Sequence, residues 1–376
     1  MSRPVAALVT LCALVLGGCV LRGGVPEHIA DLAPATRGAP APAAASPAAS
    51  SPGSSPGSSA GGEAGATQGA DPSGVSRLTG DPYADLARRL HARGVGIWFE
   101  IDLVARWREG PQAFAEGLDR LRKLSSVPGV RGFKVADELG YDDGITSAAE
   151  ATDFLRAVRS GLRSVPHARV LIDVVVPELG CLGWTGYGSR SCTDEARAKH
   201  PAASVAAVTG YLREGLVDRL DLSTSLLDEW TYQGWGTSQG QAQAAAWRHV
   251  RDLGWARLTA LQSRKALADA GGYQGSPQQA ARDVRTFVEL PSAGGAQAVD
   301  VWTWRQEYDG RTVSLLDGTL TSNPLWARLV ASHRAGVRLF THITPSLLLP
   351  TGAERAREYA RVAQAFDAVF VAAGTG

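Results

Sequence analysis

Methionine occurs once in the 376 residues, cysteine four times, and the formal net charge is only +1. Each scarcity excludes something. A near-neutral chain without Lys/Arg clusters lacks the electrostatic footprint of a nucleic-acid binder, so no nucleic-acid partner is expected. The few cysteines are not joined by a close His pair that would complete a zinc site, so no metal is expected. Other signatures are missing too: no Gly-x-Gly-x-x-Gly follows the first strand-like segment, and there is neither a Walker loop nor a Gly-x-Ser-x-Gly elbow. No cofactor is expected. Long apolar runs are also scarce, and the one from Val5 to Leu16 is too short to span a bilayer as a helix.

That run follows Arg3 and ends in Leu16-Gly17-Gly18-Cys19. The order of charge, apolar stretch, two small residues and cysteine resembles the lipobox of bacterial, actinobacterial-type lipoproteins. The resemblance implies that residues 1–18 are a signal peptide and that Cys19 carries acyl chains. It also implies a lipid-anchored protein on the extracellular face of the cell membrane, with membrane lipid as a partner. Each buried methylene would add about 0.8 kcal/mol to the anchorage. An ordinary signal peptide with an incidental cysteine is the plainer alternative. Residues 19–77 then form a linker rich in Ala, Pro, Gly and Ser. It has no hydrophobic periodicity to offset the entropy of ordering, so the reading is a disordered stalk reaching about 40 Å. With Cys12 in the signal segment, Cys181 and Cys192 remain, and in an oxidising compartment they read as a disulfide.

Residues 78–376 alternate between helical and strand periods. Helices are expected over 85–92, 111–124, 147–162 (with Ser147 as cap), 201–214, 241–252, 277–290, 323–335 and 353–372. Strands are expected over 95–103, 132–138, 169–176, 218–225, 298–304 and 337–344, while 255–261 reads either way. An eighth strand is sought near 284–290 or 312–316. Repeated βα units predict a parallel sheet with right-handed crossovers. Of the two closures available, a (β/α)8 TIM-like barrel, possibly distorted, is preferred over a doubly wound open sheet, because no nucleotide-binding loop is present.

Strand alternation then sorts the side chains. Apolar residues take the helix-facing side, which leaves Glu100, Asp102, Lys134, Glu138, Asp173, Asp221 and Ser225 pointing inward. The later strands add Trp302, Trp304, Gln306 and His342. Barrel interiors are ordinarily filled with Val, Ile and Leu, so an inward set this charged must be paired, hydrated or lining a cavity. The structural reading is an internal ion network with Lys134 pairing Asp173 or Glu100. The functional reading is a site at the C-terminal strand ends. There Asp137, Tyr141, Trp184, Trp230 and Trp235 on the following loops would join Trp302 and Trp304 to make an aromatic rim.

A secreted barrel with acids at strand ends and such a rim resembles the glycoside hydrolases. The segment Phe133-Lys134-Val135-Ala136-Asp137-Glu138, followed by Tyr141-Asp142-Asp143, is similar to their acid-ended strands, and Trp302-Thr303-Trp304 to the tryptophan that floors their sugar site. The chain lacks the Asn-Glu of a fourth strand and the Asp-x-x-Asp-x-Asp-x-Glu of chitinase-like families. The resemblance implies hydrolysis of cell-wall or extracellular polysaccharide by two carboxyl groups. Glu138 is then the acid/base, and Asp102, Asp173 or Asp221 its partner. Glu100, Lys134, Asp137, Tyr141, Trp230, Trp235, Trp302, Trp304, Gln306 and His342 would contact the sugar. Two other readings are a glycan-binding lipoprotein without activity and a Schiff-base lyase using Lys134.

Overall fold

The computed structural model describes residues 78–166, 168–263, 267–308 and 310–372. The expected signal segment (1–18), Cys19 and the expected linker (19–77) lie outside these residues. No helix among the described residues is long and apolar enough to cross a membrane.

Eight parallel strands close into a barrel: β1 (Gly96–Glu100), β2 (Val130–Lys134), β3 (Val170–Val175), β4 (Arg219–Ser223), β5 (Thr259–Ser263), β6 (Ala298–Val301), β9 (Leu339–Ile343) and β10 (Ala368–Ala372). β10 pairs with β9 on one side and β1 on the other, which closes the ring. Between β6 and β9, β7 (Arg305–Tyr308) and β8 (Arg311–Ser314) form an antiparallel hairpin. It joins the sheet through Arg305, which pairs with Ile343.

The helices sit outside. The expected 111–124 segment is α3 (Pro111–Leu124), and 147–162 is α4 (Ala148–Leu162), with the Ser147 hydroxyl accepting from Glu150 N. Asparagine, serine or aspartate caps most of the others; Asp81, for example, opens α1 (Pro82–His91). The strands' outward residues, among them Ile97, Phe99, Phe133, Val135, Ile172, Val174, Leu220, Leu222, Val299 and Val301, are buried against this helical layer. Each such side chain contributes roughly 1.5–3 kcal/mol by leaving water.

Three expectations are corrected. First, the closing helix does not run over 353–372. The helix α13 (Gly352–Ala365) stops at Ala365, and the Val-Phe-Val run beyond it is the missing strand, β10. Val369 and Val371 pack outward while Ala368 and Phe370 pack inward, the two-sided burial that a strand and not a surface helix satisfies. Second, neither proposed eighth strand belongs to the barrel. Residues 285–289 continue α10 (Pro277–Val284) as a wide helical turn, and 311–314 is the outer arm of the hairpin. Third, β1 and β2 end earlier than expected, at Glu100 and Lys134. Asp102 therefore lies beyond its strand, capping α2 (Leu103–Glu109) by accepting from Ala105 N at 3.0 Å. The ambiguous stretch resolves into a short turn and β5.

After β3 the chain forms α5 (Pro177–Cys181) and α6 (Arg190–Lys199), which Cys181–Cys192 ties together with Cα atoms 5.6 Å apart. Gly180 is needed here because a Cβ would strike the Ser225 carbonyl of the neighbouring loop. Closing so short a loop restricts the unfolded chain by about 2–3 kcal/mol. Urea unfolding with and without reductant should show that loss, and equal midpoints would refute it.

Candidate active site

The inward side chains at the C-terminal half of the barrel form one polar network. Lys134 is its hub, with Nζ 2.9 Å from Glu100, 3.4 Å from Asp173, 3.6 Å from Asp137 and 3.8 Å from Asp221. His342 on β9 bridges two acids, Nδ1 to Glu100 Oε2 at 2.8 Å and Nε2 to Asp300 Oδ2 at 2.7 Å. Beneath this layer, toward the N-terminal end, Trp98, Leu171, Phe340, Ala368 and Phe370 make an apolar floor. The internal ion network anticipated for Lys134 is therefore present. It joins both suggested partners, Glu100 and Asp173.

The environments push neighbouring acids in opposite directions. Burial alone would raise the Glu100 pKa, but the Lys134 ammonium and the His342 imidazolium outweigh it and hold the carboxyl well below the usual range. Asp102, two residues on and half-buried, moves the other way. Burial raises it, and the nearby charges of Asp137 and Glu100 add to the rise against its backbone hydrogen bonds. Burial also raises Asp221 far above an ordinary carboxyl, reinforced by Asp300 and Asp173. Both Asp221 oxygens and Asp300 Oδ1 are buried without a hydrogen-bond partner. His342 is lowered by burial but raised more by Asp300 and Glu100, to about 10. Lys134 follows the same pattern, with burial opposed and overcome by its ring of acids. A protonated His342 and a charged Lys134 thus face four acidic side chains, Glu100, Asp173, Asp221 and Asp300, of which Glu100 is held ionised and Asp221 is pushed toward its neutral form.

Ligand atoms of Asp221, Asp300 and His342 lie within 4.8 Å of one another, a spacing a metal ion accepts. An ion entering there would displace the His342–Asp300 hydrogen bond and meet the Lys134 ammonium beside Asp221. The positive charge of this centre already resides on side chains.

The remaining predicted residues are dispersed around the mouth. Asp137 is 62% exposed at its side chain. Glu138 is half-buried at a bend with φ +52°, and Ser225 takes φ +48° after β4. A left-handed conformation at a non-glycine residue costs on the order of 1–3 kcal/mol and clusters at functional sites. Tyr141 stacks on His200, centroids 4.2 Å apart. Trp184 stacks on His249 at 4.1 Å, and Trp235 packs edge-on against Tyr232, both in a satellite cluster of the third and fourth loops. Trp230, on α8 (Glu229–Gly234), is 74% exposed. Trp302 meets Tyr308 of the hairpin edge-on, and the half-buried Gln306 leaves Oε1 without a partner.

Trp304 is a correction. It is buried outside the barrel lumen, against Trp326 and Phe366, and its indole donates to Glu358 at 2.9 Å. Strand parity predicted it inward, but β6 ends at Val301 and the chain turns before β7 begins. Asp300 is the residue the sequence reading omitted. It shares parity with Trp302 on a strand whose Val299 and Val301 face out, so alternation already pointed to it.

No protein-family model matches the chain, and no curated protein matches it. Among solved structures, the carboxyl transferase domain of Rhizobium etli pyruvate carboxylase with oxalate is similar at TM-score 0.40 and 12% identity, over 82% of this chain and 45% of that one. The CcCel6A catalytic domain complexed with p-nitrophenyl beta-D-cellotrioside is similar at TM-score 0.33 and 12% identity, over 64% of this chain and 72% of that one. The chain spans less than half the length of the carboxyl transferase domain. At these values neither likeness bears on the chemistry.

Proposed function

We propose that the chain is a glycosidase of extracellular polysaccharide, held at the membrane through Cys19, with its chemistry at the C-terminal mouth of the barrel. One observation carries the reading: Glu100 and Asp102, two residues apart, have pKa values driven in opposite directions. Pairs separated in this way divide the roles of acid and base. Asp102, half-buried and with its pKa raised by burial, donates in its protonated form to the leaving oxygen. Glu100, 15% exposed at its side chain and held ionised between Lys134 and His342, stabilises the positive charge that develops on the sugar ring. The surplus of acid around Lys134 and His342 deepens that field. The exposed Trp230 offers a stacking face for a sugar at the rim.

This assignment moves the proton donor from Glu138 to Asp102. Hydrolysis by the wild type should fall as pH rises through the elevated Asp102 pKa, since only the protonated form donates. Asp102→Asn should lose about 10²–10⁴ in kcat on polysaccharide but keep most of its rate on aryl glycosides whose leaving group needs no proton. Glu138→Gln should lose far less. Full polysaccharide activity in Asp102→Asn would refute the role. Binding of polysaccharide with no hydrolysis by the wild type would replace the enzyme reading with that of a glycan-binding lipoprotein.

A further inference from the structure

The opposite end of the barrel carries the opposite charge. Arg131 is the second residue of β2, Arg169 precedes β3, Arg219 opens β4 and Arg338 precedes β9, so parallel strands bring all four to the N-terminal mouth. They line a cavity of about 460 Å³ whose wall includes Trp98, Leu171 and Phe340 of the apolar floor. That volume lies within the range of small-ligand pockets, about 300–1,000 Å³.

Among the described residues these guanidiniums are only partly offset, Asp367 countering the repulsion at Arg131 and Asp218 at Arg219. None of the four has a carboxylate within ion-pair distance. The two acids nearest in effect are engaged elsewhere. Asp218 pairs with Arg159 at 2.8 Å and accepts from Val170 N, while Asp367 accepts from Leu339 N and faces His333 at 3.3 Å. Arg219 reaches only backbone carbonyls, those of Asp218 and Arg257. Burial lowers the pKa of Arg131 and of Arg219, and like charge lowers it further, from Arg338 and Arg169 at the first and from Arg169 at the second. Such mutual repulsion is relieved by an anion. The Trp98 indole N–H is a second unspent donor: the residue is 3% exposed and its Nε1 has no partner. Gly96 keeps the place open, since a Cβ there would occupy the space of the Arg131 guanidinium.

We propose that this N-terminal cavity binds a phosphate dianion, either inorganic phosphate or a phosphomonoester whose organic part rests on the Trp98–Phe340 floor. Guanidinium forks match phosphate oxygens in pairs, and four of them around one opening suit a doubly charged group better than a single carboxylate. The site is separate from the acid network and does not depend on the glycosidase reading.

The test is an NMR titration of the full-length chain that follows the Trp98 indole N–H, assigned by its disappearance in Trp98→Phe. Inorganic phosphate should shift that resonance saturably, beyond the response to sodium chloride at equal ionic strength. Arg131→Gln/Arg169→Gln, at solvent-exposed positions, should weaken binding at least tenfold, whereas Arg251→Gln should not. Phenyl phosphate binding tighter than inorganic phosphate identifies a phosphomonoester site, and equal affinity identifies free phosphate. A response no larger than that to chloride would overturn the proposal. So would unchanged affinity in the double variant, or binding seen only to anionic vesicles.

Discussion

Lys134→Met should destabilise the protein by about 3–5 kcal/mol at pH 7. Removing one member of a buried ion network leaves its partners charged and unsolvated. Here the buried acids within 3.8 Å of Nζ are Glu100, Asp173 and Asp221, and Glu100 is the one held ionised. Methionine fills most of the lysine's volume, so the loss reports charge and not a cavity. The pH dependence follows from Glu100, whose folded pKa is depressed. Such a group stabilises the fold above its unfolded pKa of about 4.3, and that stability is lost as pH falls through the folded value. The variant forfeits much of this contribution. The gap between wild type and Lys134→Met should therefore be wide at pH 7, persist down to about pH 4.3, and narrow only below it, as pH falls toward the depressed folded value of Glu100. Urea unfolding across this range measures it. A gap under about 1 kcal/mol at pH 7, or one that does not change with pH, would show that Lys134 does not hold the network together.

His342→Gln should alter the other limb of the profile. The groups facing this imidazole are Glu100 and Asp300, which donate their charge to it, Lys134, which opposes it, and the Phe370 ring at 4.8 Å. The balance raises the pKa to about 10, against about 6.5 in the unfolded chain. A raised basic group contributes stability that is complete below the unfolded pKa and disappears as pH rises through the folded one. The wild type should thus lose a few kcal/mol between about pH 6.5 and 10 through this residue alone. Glutamine bonds to both acids without titrating, so His342→Gln should start lower and lose less over the same interval. Parallel stability curves for the two proteins would mean that His342 is not a buried cation.

Much of the candidate site was legible because strand alternation is a local property. Once Ile97, Phe99, Phe133, Val135, Ile172, Val174, Leu220 and Leu222 are assigned to the helices, Glu100, Lys134, Asp173 and Asp221 have nowhere else to point. The same rule reached His342. It misled at Trp304, because parity carries only as far as the strand does, and the chain leaves the sheet after Val301. It fell short at Asp102, which a helix start captured as a cap. β10 was hidden for a different reason. Ala recurs throughout Ala353 to Ala372, and local composition does not say that Phe366 and Asp367 end a helix.

What the sequence alone determined, then, is the alternation of elements, their two faces and the inventory of inward charge, all set within a few residues of chain. The tertiary structure decided which charges meet. Glu100, Asp300 and His342 come from strands more than two hundred residues apart at the extremes; β6 pairs with β9 directly, and closure of β10 onto β1 brings Glu100 to them. Opposed pKa shifts at Glu100 and Asp102 arise from that convergence, since burial and neighbouring charge are properties of a place and not of a segment. The arginine mouth has the same origin: four residues unremarkable in sequence become neighbours because parallel strands all begin at one end.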